Sequence, residues 1–263
     1  MKRSTITLLT DFGTTDHYVG AMKGVMLGIS PDAQQVDISH EIPPYAIPQA
    51  AFTLSQAWKC FPPGTVHLVV VDPGVGSSRR AIVVEAAGHY FVAPDNGVLT
   101  MIYEAAPDHQ VRQITAARFF REPVSRTFHG RDIFAPVAAH LANGVRTAEL
   151  GGPVADYARS VFGKPMQTAE KSWSGTILKV DHFGNLITNL VSEVWLPVMG
   201  NAFVMRVGKS SVSLVAANYA AMDAGGVFVI PGSAGFLEVS ANQASAAKIT
   251  DARAGDPVEL RLV

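Results

Sequence analysis

TITLLTDFG, residues 5–13, and HLVVVDPGVGSSRR, residues 67–80, decide the fold. Each opens with a short run of apolar and β-branched residues and ends abruptly on an aspartate, Asp11 or Asp72. Apolar runs without polar alternation are strands covered on both faces, as in a largely parallel sheet. Between them lie two helical patterns. Tyr18, Met22, Val25, Met26 and Ile29 form the first; Ile47, Ala51, Leu54 and Trp58 form the second, with Pro48 suited to a first helical turn. With a strand at 35–38 between the helices, the order is strand, helix, strand, helix, strand, the signature of a doubly wound α/β domain.

Working outward, AIVVE (81–85) and HYFV (89–92) read as further strands, and 132–142 as a helix stopped by Gly144. The first domain is expected to span residues 1–160. PMQTAEKSWSG (165–175) reads as a linker to a second domain, 172–263. There, short strands at 175–181, 186–191, 202–207, 211–216, 227–230 and 236–240, with Gly-rich turns and little helical period, predict a smaller β-barrel.

The composition excludes several classes of function. Lys plus Arg (21) balances Asp plus Glu (22), with no basic run, so nothing marks a nucleic-acid or anionic-membrane partner, and a small molecule is expected. No segment approaches the roughly 20 apolar residues of a membrane span. Cys60 is the only cysteine, which fits a reducing, cytoplasmic setting.

In open α/β sheets ligands bind where strands end at their carboxyl side, so Asp11 and Asp72 would face one crevice. The glycines after Asp72 do not form a dinucleotide fingerprint, because a strand and not a helix follows them. PGVGSSRR is better read as a tight turn returning one arginine toward Asp72. Arg79 and Arg80 would point to opposite faces, so only one of them reaches it. TFHGRDIF (127–134) puts His129 and Gly130 just ahead of a helix, whose free N–H groups hold polar atoms. His129, Asp132, Asp181 and His182 are metal-ligand types without a metal-binding spacing, and a metal-free site is expected. VDHFGNLITNL (180–190) reads as a hairpin with a polar turn.

In order, TDFGTTDHYVGAMKG, VVVDPGVGSSRRAIVV, APDNGVLT, TFHGRDIFAPVAAHLANG, VDHFGNLITNL and GSAGFLEVS resemble the S-adenosylmethionine hydroxide adenosyltransferase family of adenosine-forming hydrolases, homologous to the S-adenosylmethionine-dependent fluorinases and chlorinases. The resemblance runs from about residue 5 to 248. It implies an α/β domain, a β-barrel, and a homotrimer whose sites pair the first domain of one subunit with the second of its neighbour. S-adenosylmethionine would be the substrate, without a further cofactor or metal. By motif position the catalytic set is Asp72, Arg79 and His129. Asp11 would grip the ribose hydroxyls, Tyr45 would stand beside the sugar, and Phe128 and Gly130 would flank the reacting centre. Asp181 and Asn185 would hold the amino-acid end and the adenine, with Tyr219 in a stacking position and Ser233, Glu238 and Ala241 in the last block. Ala234 and Ala241 stand where the halogenases have arginines, and Gln243 where a small residue is usual. The competing readings are a chlorinase-like halogenase, which has a tyrosine in place of Asp72, and a non-catalytic S-adenosylmethionine or adenosine sensor.

Overall fold

The computed structural model describes residues 4–160, 164–200 and 202–263. The chain divides into two compact units, 1–160 and 161–263. In the first, the elements run β1 (Thr5–Thr10), α1 (Tyr18–Ile29), β2 (Gln34–Ser39), α2 (Ile47–Ala57), β3 (Val66–Val70), β4 (Ala81–Ala86), β5 (His89–Pro94), α3 (Thr100–Ala105), β6 (Gln110–Gln113), α4 (Ala135–Ala142) and α5 (Thr147–Leu150). The sheet order is β2-β1-β3-β5-β4-β6. The β1–β2, β1–β3 and β3–β5 pairs are parallel, while β4 is antiparallel to both neighbours, so it alone runs against the rest.

Strand alternation sorts the apolar side chains into two cores. Ile6, Leu8, Leu68, Val70 and Val83 pack with Met22 and Met26 of α1 and Val137, Ala138 and Leu141 of α4. Leu9, Val69, Val71, Ile82 and Phe91 face the opposite way, onto Leu54 of α2 and Ile102 and Tyr103 of α3. A sheet covered on both faces is the arrangement that the unbroken apolar runs demand.

In the second unit the order is β7 (Met166–Ala169), β8 (Ser172–Val180), β9 (Leu186–Val191), α6 (Ser192–Met199), β10 (Phe203–Val207), β11 (Ser210–Val212), β12 (Val227–Pro231), β13 (Phe236–Ala241), α7 (Ala246–Thr250) and β14 (Pro257–Leu262). The strands form an antiparallel sheet, β11-β10-β14-β8-β9-β13-β12, with β7 paired to β8. Its ends approach each other: Val229 N–H donates to Leu214 O at 2.9 Å and Ala216 N–H to Val229 O at 2.8 Å, so the chain after β11 bonds β12 and nearly closes a barrel. The interior holds Ile177, Leu186, Phe203, Met205, Val229, Leu237 and Leu260.

Three expectations change. The linker read at 165–175 is instead β7 and the first part of β8; β7 is exposed throughout and so lacks the apolar pattern that marks a strand. The second unit also contains helices α6 and α7, the first carrying an internal Pro197 that obscures its period. The strand expected over 211–216 ends at Val212, before the barrel-closing bridge.

Candidate active site

β1 and β3 are neighbours in register, Thr10 beside Val70, so Asp11 and Asp72 emerge from the same edge of the sheet. The turn after Asp72 is tight: Val75 N–H donates to Asp72 O at 3.3 Å, and Ser77 N–H and Oγ–H both donate to Gly74 O, at 3.1 and 2.7 Å. Gly76 has φ +77°, and a Cβ there would sit 2.3 Å from the carbonyl of Arg126, so this position requires glycine. The turn returns Arg79 to Asp72. Arg79 Nε–H donates to the two carboxylate oxygens at 3.0 and 2.9 Å, and Nη2 also bonds Oδ2. Both side chains are buried, with 10% of Arg79 and 5% of Asp72 exposed. Arg80 points the other way, onto Asp95 and Asp156.

Arg79 Nη2 also lies 2.8 Å from His129 Nδ1, and the guanidinium stands 5.1 Å over the ring of Phe134. Arginine only donates, so Nδ1 accepts and the neutral imidazole carries its hydrogen on Nε2. Burial, reinforced by the charge of Arg79, pushes the His129 pKa down. Neutral His129 is therefore a donor through Nε2, not a base through Nδ1.

His129 is not ahead of the helix, as its sequence suggested, but already in helical conformation, φ −62° and ψ −24°, at the start of a π-helical turn over Gly130–Phe134 that runs into α4. Such turns occur often at functional sites. Asp132, fully buried, organises this region: it accepts from Ser125 N–H at 2.9 Å, Arg131 Nε–H at 2.7 Å and Arg121 Nη1–H at 3.1 Å. These bonds fix the irregular chain before His129, and no pattern in the sequence distinguishes Asp132 from a surface residue.

Asp11 accepts the backbone N–H of Tyr45 at 2.9 Å. Tyr45 has φ +67° and its side chain stands 71% exposed. A non-glycine residue in that region costs of order 1–3 kcal/mol and is held only by its surroundings. Burial pushes the Asp11 pKa up, and the nearby Asp72 adds to this, while the Tyr45 N–H opposes it. Phe128 joins an aromatic wall that the sequence reading missed, with Phe12 at 6.1 Å and Tyr18 at 5.1 Å between ring centroids. Gly130 is buried against that wall: a Cβ there would lie 3.4 Å from both Phe12 and Phe128 and 3.2 Å from Met22 Sδ.

The second unit carries its own polar group. Asp181 Oδ1 accepts Phe183 N–H at 2.9 Å and Asn185 N–H at 2.8 Å, and its Oδ2 accepts Asn185 Nδ2–H at 2.8 Å. Tyr219 Oη–H donates to Glu238 Oε2 at 3.3 Å. Burial raises the pKa of Glu238, and Asp181 adds to the rise, so these carboxylates share one neighbourhood. Gly232, next to Ser233, packs against the Glu238 carboxylate, where an added Cβ would lie 2.0 Å from Oε1, and Ala241 ends the strand that carries Glu238. Ser233 stands exposed on the turn between β12 and β13, and Ala241 packs into the barrel interior. Among the described residues no group of three or more His, Cys, Asp or Glu could hold a metal ion.

A buried carboxylate, guanidinium and imidazole joined at the carboxyl edge of a parallel sheet define an enzyme acting on a small molecule. The chain belongs to the SAM hydroxide adenosyltransferase family, whose N-terminal domain matches residues 6–151 and whose C-terminal domain matches residues 175–259. It is 37% identical to an (R)-S-adenosyl-L-methionine hydrolase of Thermus thermophilus over 97% of this chain and 98% of that one. A fluorinase of an Actinoplanes species is 29% identical over 70% of this chain and 71% of its own. A crystal structure of an uncharacterized conserved protein from Thermotoga maritima superposes with a TM-score of 0.90 at 40% identity, covering 97% of this chain and 99% of that one.

Proposed function

We propose that the protein hydrolyses S-adenosyl-L-methionine at the 5′ carbon, giving adenosine, L-methionine and a proton. The observation that carries this reading is the buried Asp72 carboxylate, held by Arg79 at the edge of the sheet. An oxygen lone pair of water attacks the 5′ carbon, the carbon–sulfur bond breaks, and its electron pair neutralises the sulfonium. Sulfonium is already a good leaving group, so the protein's task is to hold water in line, a gain on the order of 7–11 kcal/mol where geometry is near attack. Asp72 accepts a hydrogen from the attacking water and takes up the developing proton, and Arg79 keeps the carboxylate aimed. His129 orients the water, or the sugar oxygen beside it, through its Nε2–H. No cofactor or metal is needed for these steps.

Asp11 would bind the ribose hydroxyls with Tyr45 beside the sugar, and Phe128 and Gly130 would border the reacting carbon. Asp181, Asn185, Tyr219 and Glu238, with Ser233 and the backbone near Ala241, would hold the adenine and amino-acid ends. As the family resemblance implies, we propose a homotrimer with sites shared between neighbouring subunits, working in the cytoplasm.

The relatives' names carry an R descriptor besides the L of methionine, which leaves the sulfonium as the centre it describes. The substrate proposed here is accordingly the R epimer at sulfur. Halide transfer fits less well, since the Asp72 charge repels the anion it would have to admit. Incubation of purified protein with each sulfonium epimer in oxygen-18 water tests the reaction and its epimer preference. Adenosine labelled at its 5′ hydroxyl, formed faster from the R epimer, is expected; a 5′-halogenated nucleoside in chloride would favour the halogenase reading, and saturable binding without turnover the sensor.

A further inference from the structure

We propose that the turn Asp95–Asn96, in the APDNG segment, positions the Asp72–Arg79 pair by pinning the backbone next to each member. This rests on the hydrolytic reading above. The β1–β3 ladder ends at Val70 and the β3–β5 ladder at Leu68, so Asp72 lies beyond the sheet's own hydrogen bonds. The carbonyl of Val71, immediately before Asp72, takes instead the Nδ2–H of Asn96 at 2.9 Å. The amide is held in that orientation because its Oδ1 accepts Val98 N–H at 3.2 Å. One residue earlier, Asp95 N–H donates to Arg80 O at 2.9 Å, extending the β4–β5 ladder past the Ala81–Pro94 pair. Its carboxylate, 3% exposed, accepts Arg80 Nε–H at 2.8 Å and Ala158 N–H at 2.7 Å.

Consecutive residues of one turn thus fix the residue before Asp72 and the residue after Arg79. The tight turn from Pro73 to Ser78 is largely exposed, and its internal hydrogen bonds reach neither Val71 nor Arg80, so the anchors on these two residues come from the Asp95–Asn96 turn. The turn is itself locked from behind: at Gly97, with φ +89°, a Cβ would lie 2.1 Å from Ser160 Oγ. Asn96 and Asp95 are positioning residues, acting on the reactive groups through Val71 and Arg80.

Asn96→Asp is the closest test, since it preserves shape and the acceptor for Val98 N–H but replaces the donor to Val71 O with a repelling oxygen. A displacement of about 1 Å at a reacting group costs up to about 10²-fold in rate. We expect kcat to fall by about ten-fold or more, with KM and adenosine affinity within about two-fold of wild type. Asp95→Asn, which weakens the hold on Arg80, should move kcat the same way by less. In an Asp72→Ala background Asn96→Asp should have no further effect on the residual rate. If Asn96→Asp does not fold, Asn96→Ser is read by the same criteria. A wild-type kcat, a proportionate rise in KM, or full additivity with Asp72→Ala would each overturn the proposal. If Asp72→Ala alone retains wild-type hydrolysis, the hydrolytic reading fails; if that variant is inactive and the Asn96 variants behave as wild type, only the positioning role fails.

Discussion

His129 and His67 belong to opposite ends of one sheet, and both are kept neutral. His129 lies beside the carboxyl edge, half-buried, with Arg79 on its Nδ1. His67, near the amino end of β3, is fully buried: its Nδ1 meets Thr7 Oγ1 at 2.8 Å and its Nε2 meets His89 Nδ1 at 3.1 Å. Phe91 stacks on it at 4.8 Å and Phe61 meets it edge-on at 5.8 Å. At the carboxyl end a fixed charge defines which ring nitrogen faces outward; at the amino end an aromatic cage encloses both. The same shift in protonation therefore serves chemistry at one end and packing at the other.

Removing the charge network breaks this contrast most directly. Asp72→Ala should lower kcat by about 10³-fold or more with substrate binding largely kept, because the lost bond acts mainly in the transition state. Single-turnover adenosine release measures it, and a rate near wild type would mean that the carboxyl edge is not the reactive end.

His129→Ala should cost about 10²-fold, the scale of one preorganised donor. Its pH profile sharpens the point. With the His129 pKa pushed down by burial and Arg79, the rate should show no histidine step between about pH 6 and 7, where an ordinary imidazole titrates. A step there in wild type that vanishes in His129→Gln would show His129 acting as a base after all.

The contrast was half legible in the sequence. The two strand-ending aspartates and the alternation that sends Arg79 and Arg80 to opposite faces follow from local pattern, which places Asp11 and Asp72 at one edge with one arginine; that the arginine is Arg79 came from the family resemblance. The helix after His129 was legible, but its π-helical first turn was not, since that depends on Asp132 gathering two arginines and a backbone N–H from a loop without periodicity. Asn96 carries no local signal either: its function is a bond to Val71, distant in the chain and adjacent only after folding. In the second unit, β14 alternates Val258, Leu260 and Leu262 and could have been read; exposed β7 could not.

A smaller effect is expected at Asp11. Asp11→Ala should weaken adenosine binding by about 1.5–3 kcal/mol, the scale of a hydrogen bond to a charged group. Since its carboxyl titrates above the usual range, wild-type adenosine affinity should begin to fall at a higher pH than an ordinary aspartate would give, as protonation removes an acceptor. Calorimetry across pH 4–7 (about the span from the ordinary carboxylate value to neutrality) measures both, and an affinity unchanged by the substitution would remove Asp11 from the site.

The amino-end histidines should leave activity at neutral pH untouched and appear only in stability. Burial, with His89 beside it, pushes the His67 pKa down to about 3, from the ordinary value of 6.5. Between those values the unfolded chain binds a proton that the folded chain does not, so stability rises with pH across this window. The contribution is complete above about pH 6.5 and is lost progressively as pH falls toward 3, with a slope of up to about 1.4 kcal/mol per unit for one histidine. His89, whose pKa burial also lowers, steepens the loss. His67→Phe would fit the stacked cage yet leave Thr7 and His89 without their partner, so it should be less stable at pH 7.5 and show a shallower acid slope. Urea titrations at several pH values between about 7.5 and 4.5 separate the two effects. Equal slopes in wild type and variant would mean that the buried pair opens or takes up water before it charges, and that its neutrality is not maintained by the cage.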